Sequence, residues 1–416
     1  MTAHFARTFF LFEVLLVCYA CFMYHNIDVS RFKNKKTALV LSGGVVKAAS
    51  WHLGVSLALE EFGFVLKHNK SPINPDLEIS TYVGSSAGSL INLYFASGFR
   101  PIDVIDATIN RKNAQTSLKA VTYADMLSRK MPSRAPFNFD FYNPFEGFPP
   151  LLKQMAKPLL SISGLFSTEG LNEYMQKHVI LSQEFEEYAA DMFVVATQLD
   201  HSRKVIFSKY NYPSPIHDST AEYYTGVDIT HAIAASMSVP PFYAPFAVKN
   251  PRTGQVDYYI DGEIRETLSN HIAVDNKCDN IISSWTHTPY HYHDEIGSLI
   301  NYGLPAICMQ AIYLMIQKKI IASRSQKILA KDIIDTVNDY MASNNFSQKD
   351  RHKIVSILER KMNYNPNIKF IDIFPDHSHY KLFFTNSFSL DPQKAKYIMT
   401  AGYKKTFEVF KKLEWE

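Results

Sequence analysis

Ile79-Ser-Thr-Tyr-Val-Gly-Ser-Ser-Ala-Gly-Ser-Leu-Ile-Asn-Leu-Tyr-Phe-Ala96 decides the fold. Ile79 to Val83 is a short β-rich run, Gly84 to Gly88 a tight turn, and the small and apolar residues up to Ala96 a helix closed by Gly98. The same order occurs upstream. Thr37-Ala-Leu-Val-Leu41 is an apolar strand followed at once by Gly43 and Gly44. Ala48 to Phe62 then has helical spacing, with Leu53, Leu57 and Phe62 on one side and Gly63 as the stop. Strand, glycine turn and helix, repeated, predict a mainly parallel sheet with helices on both faces: a three-layer α/β/α domain.

Outward from this pair, strands are expected at Met192 to Ala196, Lys204 to Ser208, Tyr258 to Ile260 and Asn280 to Ser284. Between Arg100 and Pro158 the periodicity weakens and aromatic and proline residues take over around Phe137 to Phe145, which reads as an ordered excursion over a cleft. Ser298 to Met362 reads as largely helical, with Ile307, Ile312, Met315 and Ile316 as an apolar stripe assigned to the core. A last helix runs from Pro392 to Leu413. The expected organisation is an N-terminal apolar segment over 1–35, an α/β domain over 36–297, and a mainly helical C-terminal extension over 298–416 packing on it. No fixed-period repeat is present, which excludes solenoids and propellers.

Composition excludes several function classes. Hydrophobic residues at 46% against 20% charged describe a chain with a substantial core, not a disordered, collagen-like or multi-span membrane protein. The 43 basic and 40 acidic residues leave +3, too little for nucleic acid to be the main ligand. Four cysteines in 416 residues make no disulfide framework, and Cys278 and Cys308 lack the close Cys/His partners of a zinc site. Neither a metal nor an organic cofactor is expected. The histidines of Thr286-His-Thr-Pro-Tyr-His-Tyr-His293 read as surface or cleft-rim polarity.

Phe9 to Met23 is an apolar run broken only by Glu13, shorter than a spanning helix, with a basic flank ending in Lys35 and Lys36. Three readings stay open: a membrane anchor, a packed or interfacial helix, and an overlong start with Met23 as the first residue. The expected location is a membrane surface, through this segment on the first reading, and otherwise the cytoplasm.

Three stretches carry chemistry. Gly84-Ser85-Ser86-Ala87-Gly88 fits G-x-S-x-G between a strand and a helix, which exposes a serine on a sharp turn whose glycines allow strand and helix to approach. Gly43 and Gly44 open a helix directly after a strand and can aim backbone N–H groups at a developing oxyanion, with the positive charge of Lys47 nearby. Asp261-Gly262 puts a carboxylate at a strand end, where it can take the proton of a serine hydroxyl. Alone, the first and third of these stretches also read as plain turns, and the Gly43 turn could cradle a phosphate instead.

Taken together and in this order, they resemble the patatin-like phospholipase family, which combines a glycine-rich oxyanion loop, G-x-S-x-G and a late D-G-[GA]. Leu41 to Val55, Gly164-Leu-Phe-Ser-Thr-Glu169, Ala234-Ala-Ser-Met-Ser-Val-Pro240 with Phe242 and Pro245, and Gly402-Tyr403 extend the resemblance. It implies a Ser86–Asp261 dyad without histidine, an oxyanion loop of Gly43, Gly44 and Val45 supported by Lys47, and hydrolysis of glycerophospholipid esters through an acyl-enzyme. Gly84, Gly88 and Gly262 support the motifs. Val45 and Ala48 stand where the family has glycine, and Glu263 where it has glycine or alanine. The alternatives are a lipid-binding or regulatory scaffold with lost turnover, an acyltransferase, and an α/β-hydrolase fold in which His377 or His379 completes a triad. Expected partners are a phospholipid or other lipid ester and a membrane surface, with interfacial contact through Phe137 to Phe145 and Phe148 to Leu152; oligomeric state is not readable.

Overall fold

The computed structural model describes residues 27–111, 114–132, 144, 146–156, 160, 162–214 and 220–413. The apolar run from Phe9 to Met23 and the aromatic stretch from Phe137 to Phe145, apart from Pro144, lie outside the described residues.

The chain opens with β1 (Thr37–Leu41), α1 (Val45–Glu61), β2 (Val65–Leu66), β3 (Glu78–Ser85) and α2 (Ala87–Ala96). The region of weak periodicity holds α3 (Pro101–Ile109), α4 (Tyr123–Met126) and α5 (Pro150–Ala156). Arg100 and Pro101 start α3 through a capping box with Asp103, a local signal that a search for long apolar periods passes over. Next come α6 (Glu169–His178), β4 (Asp191–Gln198), β5 (Lys204–Ser208), β6 (Ala221–Tyr224), α7 (Ile229–Ser236), β7 (Phe246–Lys249), β8 (Val256–Asp261), α8 (Asn270–Asp275) and β9 (Asn280–Ser284). The chain ends with α9 (Gly303–Ser343), α10 (Gln348–Lys361), β10 (Lys369–Ile373) and α11 (Pro392–Leu413).

The main sheet path is β10-β9-β1-β3-β4-β5-β6, parallel except where β4 meets β5; β2 adds to β3, and the β7–β8 hairpin joins β4 antiparallel through β8. Alternation along β1 divides the core. Leu39 and Leu41 face a large cluster built with α1, α2, α7 and α11, while Ala38 and Val40 face a second cluster with Ile272, Trp285, Ile316 and Ile320. This is the α/β/α layering expected from the glycine-turn pair.

Two features depart from the expected organisation beyond residue 297. Strand β10 pairs in register with β9, Lys369 opposite Asn280 through Ile373 opposite Ser284, and α11 packs on α1. The stretch therefore contributes a strand and a covering helix to the domain itself. Gly54 and Gly402 make the α1–α11 contact possible: a Cβ on Gly54 would run into the Met399 carbonyl, and one on Gly402 into that of Trp51. The second departure is the stripe on α9. Ile316 is buried, but Ile307, Ile312 and Met315 are 44%, 50% and 59% exposed, so most of the stripe is not core.

Candidate active site

Register brings the candidate residues together. Along β4, Val195 pairs with Ser85 of β3 and Ala196 pairs with Asp261 of β8, while β5 occupies the opposite edge through Ile206 and Val205. β3 and β8 therefore share one edge of β4 end to end. The last residue of each meets adjacent positions, which puts Ser86 beside Asp261. The Ser86 hydroxyl lies near enough to the Asp261 carboxylate to favour its charged form, and both residues are buried.

Ser86 sits on a strained elbow, with φ 51° and ψ −125° between β3 and α2. Its glycines are fixed by close approach: a Cβ on Gly84 would strike the Ser89 backbone, and one on Gly88 the Leu41 carbonyl. The Ser86 N–H donates to Ser236 Oγ at 2.8 Å, and Ser236 Oγ donates to the Val195 carbonyl at 2.5 Å. Asp261 is held by the same segment, its N–H donating to the Ser238 carbonyl at 3.0 Å. Its carboxylate accepts from the Glu263 N–H at 2.9 Å. Gly262 passes so close to β4 that a Cβ would meet the Val195 carbonyl. Ser236 and Ser238 thus link the two candidates. The sequence showed them as part of a similar stretch but with no role.

The turn after β1 is also strained. Gly44 has φ 128°, and Val45 has φ 56°, a left-handed conformation that costs a β-branched residue about 1–3 kcal/mol. Val45 keeps the glycine-like backbone despite its side chain. The Val46 N–H donates to the Ser387 carbonyl at 2.9 Å. Among the described residues, the N–H groups of Gly44 and Val45 meet no protein acceptor. The Gly43 N–H does: it donates to Glu263 Oε1 at 3.0 Å. Glu263 is buried, a Cβ on Gly43 would meet both it and Ser86, and its carboxyl lies on a donor that an oxyanion would use.

Burial raises Asp261 to about 6, against the opposing pull of the Ser86 and Glu263 hydrogen bonds. Glu263 is pushed up to about 8, by burial first and then by the neighbouring Asp261. Glu263 is therefore the harder of the two to ionise, which leaves Asp261 as the carboxylate able to accept a proton.

Lys47 does not reach Gly43 or Ser86 with a hydrogen bond. Its buried ammonium donates to Tyr313 Oη at 2.6 Å and the Leu382 carbonyl at 3.5 Å. The turn after β1 is instead braced by His52, which the sequence did not single out. His52 Nε2 lies 3.0 Å from the Ser42 carbonyl and Nδ1 2.9 Å from Ser284 Oγ, and burial lowers its pKa to about 4. The ring is neutral, with Nε2 donating and Nδ1 accepting. Of the cluster read as surface or cleft rim, His287 is buried. Its Nε2 and the Thr286 hydroxyl would each lie 3.2 Å from a Cβ on Gly44, making a polar wall opposite that glycine. Among the described residues no group of three or more His, Cys, Asp and Glu side chains gathers as a metal site. His379 is bound to Asp376 at 2.9 Å and His377 meets His291 edge to face, so neither joins Ser86 and Asp261.

Ser86 opens onto an apolar pocket of about 810 Å³, including its mouth. Val45, Leu53, Leu90, Ile91, Leu171 and Met237 line it, and Arg111 and Lys119 also contribute. A buried hydroxyl beside a carboxylate on the wall of such a pocket can attack a carbonyl whose chain is apolar. A family model described as patatin-like phospholipase matches residues 39–274, more than half of the chain. No curated protein matches it.

Proposed function

The chain belongs to the patatin-like phospholipase family, a family of lipid hydrolases, and on that premise we propose that it hydrolyses carboxylic esters of glycerophospholipids through a Ser86–Asp261 dyad. Asp261 takes the Ser86 proton as Oγ adds to the acyl carbonyl. The oxyanion is met by backbone N–H groups of the Gly43–Val45 turn. Collapse breaks the ester C–O bond, and the leaving lysophospholipid oxygen takes the proton from Asp261. Water then adds to the acyl-enzyme, giving its proton to Asp261, which returns it to Ser86 as the fatty acid leaves. The acyl chain occupies the apolar pocket. The observation that carries this reading is the placing of Ser86 beside the buried Asp261 carboxylate, by adjacent register on β4, on the wall of that pocket.

The test is fatty-acid release from mixed phospholipid vesicles by wild-type and Ser86→Ala protein, with and without a chelator. Chelator-resistant release that disappears in the variant supports the reading; release that survives Ser86→Ala ends it.

A second reading, a lipid-binding scaffold with little turnover, is favoured by Glu263 on the Gly43 N–H. A fluorophosphonate probe separates the two, because a scaffold without an activated serine is not labelled at Ser86. Transfer of the acyl group to an acceptor other than water would use the same residues. A lipid substrate also implies work at a membrane surface, where the exposed Phe148, Leu151 and Leu152 are available for contact.

A further inference from the structure

Helix α9 lies outside the family-matched residues and carries an unusual surface. Leu299–Ser343 is long and apolar enough to cross a membrane, with a mean hydropathy of 1.5 over its best window, of which 11% is buried. No charged residue occurs from Ile296 to Gln317, and no acidic one until Asp332, whereas Lys318, Lys319, Arg324, Lys327 and Lys331 follow the apolar half.

The helix has two distinct sides. Tyr313, Ile316 and Ile320 are buried at helical spacing, and Ile316 and Ile320 join the core beneath the sheet. Leu304, Ile307, Cys308, Ala311, Leu314 and Met315 fall on the opposite side, and all are exposed. A helix held by its inner stripe cannot cross a bilayer without breaking that packing, but it can lie in the plane of one. The inner side is tied to the catalytic loops at two points. Lys47, at the start of α1, donates to Tyr313 Oη, and Lys319 Nζ donates to the carbonyl of Ile264, three residues after Asp261, at 2.7 Å.

We propose that α9 is an in-plane docking helix that seats the catalytic edge of the sheet on an anionic phospholipid bilayer, with Leu304, Ile307, Ala311, Leu314 and Met315 in the acyl–headgroup boundary. Its occupant follows from charge and chemistry: Arg324 is paired with Asp372, Lys327 lies over Phe370 and Lys319 is held by Ile264, so the exposed Lys318 and Lys331 are the cations beside an uncharged apolar face, which fits a negatively charged lipid surface. In choosing lipid over a second copy of the chain it rests on the lipid-hydrolase reading, but its test does not depend on turnover. The bilayer then lies about one helix diameter, ~10 Å, from the oxyanion turn.

Cys308 offers a native reporter on this face, since Cys278 is buried. Full-length protein carrying Cys18→Ser and Cys21→Ser is labelled at Cys308 with an environment-sensitive fluorophore. It is mixed with equimolar phosphatidylcholine–phosphatidylglycerol vesicles, with and without brominated acyl chains. The expected result is a blue shift, quenching by the brominated lipid, and weakening of both by salt. Emission that vesicles leave unchanged overturns the proposal, whatever residues 1–26 do at the membrane. So does a blue shift that grows with protein concentration alone, which would assign the face to a second copy. Ile307→Glu with Leu314→Glu should lower vesicle insertion of the label at least ~10-fold while a soluble short-chain ester is turned over within ~2-fold of wild type. Label insertion that survives both substitutions overturns the proposal, whatever happens to activity. If that variant does not fold, the Cys308 label in the otherwise native chain still decides.

Discussion

Glu263 Oε1 accepts a hydrogen bond from the Gly43 N–H at 3.0 Å, so a carboxyl group rests on the first donor of the turn facing Ser86. A reacting carbonyl oxygen has to displace that carboxyl to use the same N–H. Where the resemblance leads one to expect glycine or alanine, this chain has a side chain long enough to fold back across the site. On the proposed mechanism, release of this carboxyl precedes use of the Gly43 N–H by an oxyanion.

Glu263→Ala should free the Gly43 N–H and raise kcat/KM for a soluble ester by about a hundredfold, the lower end of what one oxyanion donor contributes. The rate of fluorophosphonate labelling at Ser86 should rise with it. A folded Glu263→Ala protein no faster than wild type by either measurement would mean that the carboxyl does not compete with the oxyanion.

The pH–rate profile of wild type should be bell-shaped. Activity rises through about 6 as Asp261 loses its proton and becomes a base, and falls through about 8 as Glu263 gains a negative charge at the oxyanion turn. Glu263→Gln cannot ionise. Its profile should keep the acid limb and lose the alkaline one.

Stability should follow the same carboxyl. Glu263 has a folded-state pKa above its ordinary 4.5, so the unfolded chain loses this proton first and stability declines as pH rises from about 4 to about 8. Glu263→Gln removes that decline. Its melting temperature relative to wild type should climb by at least ~2 °C between pH 5 and pH 8, read by thermal melts at both values.

His52→Phe keeps the ring volume but leaves the Ser42 carbonyl and Ser284 hydroxyl without their partner, at a cost of about 1–3 kcal/mol. The oxyanion turn loses its brace, so kcat should fall more than KM rises. Because wild-type His52 stays neutral down to about 4, its contribution is lost as pH falls from 6.5 towards that value. The melting-temperature deficit of His52→Phe should therefore shrink at pH 4.5.

The wall between α1 and α11 is the most sensitive structural contact. Gly54→Ala would put a methyl group into the Met399 carbonyl and force the helices apart, a loss of about 1–3 kcal/mol or more. Urea denaturation should show it as a lowered midpoint with an unchanged slope.

The strand and glycine-turn units around Gly43 and Ser86 were legible because their signals are local. A short apolar run needs only its neighbours to become a buried parallel strand, and a glycine between strand and helix marks a close backbone approach. Strand β9 and helix α11 follow their expected bounds for the same reason. The stripe on α9 shows where local reasoning stops. Period 3.6 says which residues share a side of a helix, not which side meets the body, and the body chose Tyr313, Ile316 and Ile320. Strand β10 was missed because five residues with only partial alternation are recognisable mainly by the edge of β9 that they complete.

The sequence by itself determined the α/β/α class, the family, and the residue types able to act as nucleophile, base and oxyanion turn. Only the tertiary structure decided that Ser85 and Asp261 take adjacent places on one edge of β4, that Lys47 is held by Tyr313, and that Glu263 covers Gly43. The reason is distance along the chain. Local propensity acts over a few residues, whereas each of these relationships joins groups more than a hundred residues apart, which only sheet register and packing can bring within hydrogen-bond reach.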